Sequence, residues 1–247
     1  MAEPAADLVV RGEGEEALLE ICAALQNDAG ELVDGQRRFA GPAWSAILGL
    51  TYRGMDGCVV HNAPRPLHTD IDAIPWPAYD LFQIERYTNL QPLTDGLDPH
   101  ARAYTIVTSR GCPYQCIYCS KPITGHTWRA RRPAEVVKEW AYLARQMRAT
   151  EIGVTDDVWN LNLERAKEIC RLLIREGLTT PWVTIHGMRA HPTDPELFEL
   201  MKRAGCKRVG FGVESGSQRV LDYIKKKQRI EDVRNAFAWA KAAGLQT

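Results

Sequence analysis

Seven cysteines occur in 247 residues, and three of them crowd one stretch, Cys112-Pro113-Tyr114-Gln115-Cys116-Ile117-Tyr118-Cys119. Thiolates in the spacing Cys-x3-Cys-x2-Cys can converge on one metal centre. Three are one ligand short of a closed four-coordinate cage. A structural zinc site would show four Cys or His ligands, commonly in two pairs. An iron–sulfur cubane is held by cysteine thiolates, so three leave one iron open to another group. Cys112, Cys116 and Cys119 are the candidate metal ligands and the centre of any metal chemistry. Other groups able to bind or polarise a ligand are Asp156-Asp157, Arg189 and Glu214-Ser215.

Each of these features follows a predicted strand. Apolar runs predict strands over 104–107, 151–155, 182–186 and 207–213, and helical spacing predicts helices over 133–148, 163–176, 195–204 and 230–243. Pro133 suits a first helical turn, Asp194 an N-cap, and Gly205 and Gly244 C-terminal stops. Cys170 lies on the apolar stripe of its helix. Strand–helix alternation makes a parallel α/β series. Periodicity leaves two architectures open, a closed barrel and an open doubly wound sheet. In both, ligands gather at the carboxyl ends of the strands, where the features above lie. Arg129, Arg131 and Arg132 read as a solvated basic face, as do Lys225-Lys226-Lys227. His186 and His191 read as structural singletons.

Before residue 101 the pattern is weaker. A strand at Asp7–Val10 leads through Gly12-Glu13-Gly14-Glu15 into a helix carrying Ala17, Leu18, Ile21, Cys22 and Leu25. Cys22 reads as a core residue. This unit resembles the last piece of a doubly wound domain. Residues 28–100 read as irregular, apart from a hairpin about Gly54–Gly57 and a span with Pro64, Pro66, Pro75, Pro77, Pro92 and Pro99. Trp76, Tyr79, Phe82 and Tyr87 make that span an ordered connector rather than a disordered tail.

Composition excludes several classes. Lysine plus arginine equals aspartate plus glutamate at 31 each, so no net field favours nucleic acid or an anionic membrane. No apolar run approaches the ~18 residues of a spanning helix. Seven cysteines without a disulfide framework fit a reducing cytoplasm.

The cysteine spacing, with aromatic Tyr118 before the third cysteine, resembles the signature of the radical S-adenosylmethionine (radical SAM) superfamily. The resemblance extends over about residues 104–244 and includes Val209-Gly210-Phe211-Gly212-Val213-Glu214-Ser215-Gly216-Ser217. It implies a partial (β/α)6 barrel, of which four of six strands are visible, and a 4Fe–4S cluster on the three cysteines. S-adenosylmethionine on the open iron would be cleaved to methionine and a 5′-deoxyadenosyl radical that abstracts hydrogen from a substrate carbon. It also implies cofactor contacts. Glu214 and Ser215 would touch the ribose or amino-acid end, Arg189 the methionine carboxylate, Asp156 and Asp157 the amino group or the substrate, and Tyr118 the adenine. The alternatives are loop packing for Tyr118, a surface position for Arg189 and a cap or solvent role for the aspartates. An unidentified small-molecule substrate and an electron donor such as flavodoxin or ferredoxin would be the partners.

Gly12 to Glu15, the hairpin and Pro75-Trp76-Pro77-Ala78-Tyr79-Asp80 stand in the order of a sub-family that joins a cobalamin-binding domain to a radical SAM domain. This implies a remnant of the cobalamin domain over 1–27, a hairpin and connector over 28–100, and a radical SAM domain over 101–247 that stops before its fifth strand. It implies methylation or a ring-forming rearrangement for the parent protein. Cobalamin itself is not expected on this chain, which lacks the family's Asp-x-His-x-x-Gly motif. Alternatives are a methylthiotransferase-like enzyme, which would need a second cysteine cluster, a non-catalytic iron–sulfur carrier, and a zinc protein.

Overall fold

The computed structural model describes residues 6–87 and 102–247. Pro92, Pro99 and the end of the connector lie outside the described residues. The chain divides into two compact units, one of residues 1–69 with 120–125, the other of 70–119 with 126–247.

In the first unit, strand β1 (Leu8–Val10) leads to helix α1 (Glu15–Asn27), hairpin β2 (Glu31–Val33) and β3 (Gln36–Arg38), short helix α2 (Pro42–Ala46), and hairpin β4 (Leu50–Arg53) and β5 (Val59–His61). The β2–β3 hairpin stands where irregular chain was expected. Its turn residues Asp34 and Gly35 have φ of 49° and 74°. Two positive φ values in a two-residue loop are a type I′ turn, for which Asp-Gly is a preferred pair. The β4–β5 hairpin is as expected. Strand β1 pairs antiparallel with β4, Leu8 opposite Tyr52, giving the order β1-β4-β5. Its sheet partner among the described residues is therefore this hairpin, not a parallel doubly wound neighbour. Ala17, Ile21 and Ala24 of α1 pack with Phe39, Trp44, Leu50 and Tyr52. Cys22 is exposed, correcting the expected core position. The helix buries a narrow stripe, and Cys22 stands about 100° around from Ile21.

The second unit contains β6 (Ala103–Ile106), β7 (Ser109–Arg110), β8 (Arg129–Ala130), α3 (Pro133–Ala141), β9 (Glu151–Val154), α4 (Leu163–Arg175), β10 (Trp182–Thr184), α5 (Pro195–Arg203), β11 (Cys206–Arg208), α6 (Gln218–Tyr223) and α7 (Ile230–Ala242). Strands β6, β9, β10 and β11 pair in parallel, each beside its predecessor in sequence. A doubly wound sheet reverses its order at a switch point, whereas a (β/α) barrel adds strands in sequence. The observed order is the barrel's. Val209 N donates to Gln246 O at 2.9 Å and Gln246 N to Lys207 O at 3.1 Å, an isolated parallel bridge between Gln246 and Arg208.

Helices α3, α4 and α5 cover the sheet, with Trp140, Trp159 and Trp182 stacked edge to face or tilted at 5.5 Å. Asp194 caps α5 by accepting from Leu197 N at 2.9 Å, as expected. Cys170 is fully buried, and burial pushes its thiol well up. Helix α3 ends sooner than predicted because Tyr142–Gln146 widens into a π turn. Strand β11 is shorter than predicted: beyond Arg208 the regular ladder gives way to an isolated bridge between Phe211 and Met188.

The connector packs on this unit through Tyr79, whose hydroxyl lies 2.6 Å from Glu139 Oε1 and 3.1 Å from the Thr105 carbonyl. Arg131 is buried against Glu139 and Asp72, so the expected solvated basic face holds for Arg132 and not for Arg129 or Arg131. Among the described residues no helix is long and apolar enough to cross a membrane.

Candidate functional site

The loop after β6 carries the three cysteines. Strands β7 and β8 pair Ser109 with Ala130 and Arg110 with Arg129, closing its base. Two consecutive carboxylates after β9 hold its entry. Asp156 Oδ1 accepts from Thr108 N at 2.6 Å, and Oδ2 accepts from Thr108 Oγ1 and Ser109 Oγ, both at 2.6 Å. Asp157 Oδ2 accepts from Gly111 N at 2.8 Å, where φ is 81°. That left-handed backbone immediately before Cys112 suits glycine. Arg165 of α4 donates to Thr108 O at 2.6 Å and to Arg131 O at 2.9 Å from the other side.

Asp156 is 2% exposed, and its oxygens are committed to the loop. Desolvation raises its pKa, against the Ser109 and Thr108 hydrogen bonds that lower it. Both Asp156 oxygens thus bond the cysteine loop, where a contact to the cofactor amino group was expected.

Within the loop, Cys112 is buried, Cys116 half-buried and Cys119 exposed, and none of the three is in a disulfide. Cys119 N donates to Cys116 O at 3.1 Å, a tight turn between the second and third cysteines. Among the described residues no three His, Cys, Asp or Glu side chains converge as they would on a single ion. A cubane instead takes each thiolate at a different iron.

The loop after β11 approaches this turn. Lys226 Nζ donates to Glu214 Oε1 at 2.9 Å and to the Tyr118 hydroxyl at 3.1 Å. Lys226 lowers the Glu214 pKa, against partial burial, and holds the carboxylate ionised. Tyr118 is half-exposed, yet burial first, then Cys116 and Glu214, raises its hydroxyl. Glu214 has φ of 68°, a left-handed position rarely held by a non-glycine residue. Ser215 is half-buried beside it, its Oγ accepting from Ser217 N at 3.1 Å.

Arg189 is buried and does not present its guanidinium fork to a ligand. Its Nη2 donates to the carbonyls of Lys226 and Lys227, and its guanidinium lies 3.6 Å from the Tyr114 ring centroid. Nε is buried without a partner among the described residues. Arg189 was expected at a carboxylate; here its guanidinium packs on Tyr114 of the loop. Asn160 joins β9 to β10 by donating to the Arg189 and Pro192 carbonyls at 2.9 and 2.7 Å. His186 and His191 are exposed.

Tyr118 thus meets Cys116 and Glu214, while Asp156 bonds the loop's entry and Arg189 packs on Tyr114. Sequence reasoning missed Lys226, which lies in a run of three lysines yet is 7% exposed. No local pattern separates it from its neighbours. Thr108 and Ser109 were detectable as hydroxyls at a strand's carboxyl end. A separate open cleft of about 870 Å³, lined by His191, Gln218, Asp222 and Lys227 among others, includes none of the cysteines.

Comparison with known proteins bears on this arrangement. The family model described as the radical SAM superfamily matches residues 106–247. An uncharacterized methyltransferase of Pyrococcus horikoshii is 34% identical over 243 residues, covering 98% of this chain and 48% of the relative. The anaerobic magnesium-protoporphyrin IX monomethyl ester cyclase of Rubrivivax gelatinosus is 28% identical over 249 residues, 99% of this chain and 41% of its own. The radical S-adenosylmethionine methyltransferase TsrM of Kitasatospora setae, solved with cobalamin and a 4Fe–4S cluster, superposes with a TM-score of 0.67 over 97% of this chain and 44% of its own, at 22% identity. At that identity the likeness shows the fold. The chain spans about half the length of the curated relatives it matches.

Proposed function

The chain belongs to the radical SAM superfamily, and from that premise we propose that Cys112, Cys116 and Cys119 hold a 4Fe–4S cluster whose open iron binds S-adenosylmethionine. One observation carries the proposal: three cysteines, none in a disulfide, share a loop clamped at the carboxyl ends of β6 and β9, inside the matched region. The donor set fits the cluster, since three thiolates leave one iron for a non-protein ligand. When bound, the cluster supplies the electron that cleaves S-adenosylmethionine to methionine and a 5′-deoxyadenosyl radical.

The chain's own residues bind and orient. Asp156 and Asp157 fix the loop's entry. Glu214, kept ionised by Lys226, and Ser215 contact the ribose or amino-acid end of S-adenosylmethionine. Tyr118 lies against its adenine.

The reaction of the whole protein is proposed as methylation or ring formation on a small molecule, following the printed activities of its relatives. Flavodoxin or ferredoxin is the proposed electron donor, and the cytoplasm the proposed compartment. Cobalamin enters through the relatives, TsrM having been solved with it. The Asp-x-His-x-x-Gly motif does not occur in these 247 residues, so we assign the corrinoid to a segment other than this one.

Metal analysis after anaerobic purification and reconstitution tests the cluster assignment. Iron and acid-labile sulfide at about four of each per chain support it. Stoichiometric zinc overturns it.

A further inference from the structure

The turn after α6 meets the cysteine loop at three points. Ile117 N donates to Ile224 O at 3.1 Å. Lys226 Nζ reaches the Tyr118 hydroxyl at 3.1 Å. The Lys226 and Lys227 carbonyls hold Arg189, which stacks on the Tyr114 ring at 3.6 Å. Tyr114 lies between the first and second cysteines, and Tyr118 between the second and third. Each interval between cysteines therefore carries one tyrosine, gripped by a cation belonging to or held by the same turn.

The turn is built for this at a conformational cost. Lys225 and Lys227, on either side of Lys226, have φ of 55° and 50°. Such backbone persists where surrounding contacts over-determine it. Lys226 is itself 7% exposed, and a buried ammonium needs partners. Glu214 and Tyr118 are those partners, and Gly212 makes room: a Cβ there would lie 3.1 Å from Lys226 Nζ and 3.3 Å from Glu214 Oε1. An apolar side chain would brace the loop as well without the desolvation cost of a charge. A cation bonded to Tyr118, the residue before the third cysteine, has an electrostatic consequence that packing alone does not.

We infer that Lys226 is a positioning residue that orients Tyr118 and Glu214 under the cysteine loop, and that the Lys226–Glu214 pair sets the reduction potential of the cluster held there. This rests on the cluster reading above. Reduction potentials of iron–sulfur clusters follow local net charge, hydrogen bonding and solvent exposure. Reduction adds negative charge, so a nearby cation favours the reduced state and an anion opposes it. In the native pair, ammonium and carboxylate lie 2.9 Å apart and act in opposite directions. Removing one member exposes the other.

The test is a potentiometric titration of the reconstituted full chain, without S-adenosylmethionine, followed by electron paramagnetic resonance. Lys226→Gln leaves the Glu214 carboxylate uncompensated and should lower the potential. Glu214→Gln leaves the ammonium and should raise it. The double variant should return close to wild type, and Lys226→Arg, which keeps the charge, should shift least. A unit charge within about 10 Å, at an effective dielectric near 20, changes the reduction equilibrium by about tenfold, or about 59 mV for a one-electron couple. Altered loop packing alone would not give shifts of opposite sign that cancel. Single variants that hold iron yet shift nothing, or shift the same way, overturn the inference. If Lys226→Gln holds no cluster, the partly exposed Glu214→Gln decides: a potential that does not rise overturns it. A wild-type chain that takes no cluster overturns the reading beneath it, and this inference with it.

Discussion

Asp156 offers the most direct test of how the loop is held. Replacing it with alanine strips the acceptor from Thr108 N, Thr108 Oγ1 and Ser109 Oγ in a site 2% exposed. Hydrogen bonds to a charged acceptor contribute about 1.5–3 kcal/mol each and neutral ones about 1 kcal/mol. Burial penalises the anion, as the raised pKa of Asp156 records, so about 1–1.5 kcal/mol apiece is the appropriate range. The three together give ~3–4.5 kcal/mol, in line with breaking a buried charged network. For a chain of this size that lowers Tm by roughly 6–18 °C. Asp156→Asn keeps one carbonyl oxygen for Thr108 N and turns an amide toward two hydroxyls that can rotate to accept, so it should cost about 1–2 kcal/mol. Urea unfolding followed by tryptophan fluorescence measures both, since Trp140, Trp159 and Trp182 lie in the core of this unit. The sign of the pH dependence is also fixed. Between the ordinary value of 3.8 and the raised native pKa, the folded chain holds a proton that the unfolded chain has lost. Stability from this group therefore falls as pH rises through that window, and Asp156→Asn removes the slope. Alanine costing under about 0.5 kcal/mol, or asparagine costing as much as alanine, would refute the reasoning.

Glu214→Ala should weaken S-adenosylmethionine binding by about tenfold with iron content unchanged, read by calorimetry on reconstituted protein. Arg189→Ala should instead reduce cluster retention and stability, because its guanidinium packs under Tyr114. Lys167 is buried between Asp194 at 2.5 Å and Glu196 at 2.7 Å; burial lowers its pKa, but these carboxylates raise it further. Its contribution is full below the ordinary value of 10.5 and lost as pH rises through the higher native value, so Lys167→Met should flatten the alkaline limb of a stability–pH curve. Spectral titration with hydroxocobalamin should show no stoichiometric binding to this chain, and tight binding would contradict the assignment of the corrinoid elsewhere.

Local patterns made much of the second unit legible. The apolar runs at 104–107 and 151–155 and the stripe carrying Cys170 reflect burial that recurs with the period of one element. Asp194 was legible because a cap is satisfied within four residues. The cysteine spacing was legible because all three ligands share one loop. Features set by distant contacts were not. Lys226 is buried because Tyr118, 108 positions away, and Glu214 meet it in space. The antiparallel pairing of β1 with β4 is likewise a choice between remote segments. Cys22 failed for a subtler reason: a stripe led by Ala17 and Ala24 is narrow, and the larger Leu18 and Leu25 beside it suggested a broader buried face. Asp34-Gly35 is the counterexample, a local hairpin signal present in the sequence and passed over.

The central claim is that Cys112, Cys116 and Cys119 jointly hold a 4Fe–4S cluster with one open iron. The most direct measurement is the electron paramagnetic resonance spectrum of the reconstituted, reduced chain before and after S-adenosylmethionine is added. A reduced-cluster signal that changes on addition and is lost in Cys116→Ala is the expected result. A spectrum that S-adenosylmethionine leaves unchanged, or one that survives Cys116→Ala, would contradict it.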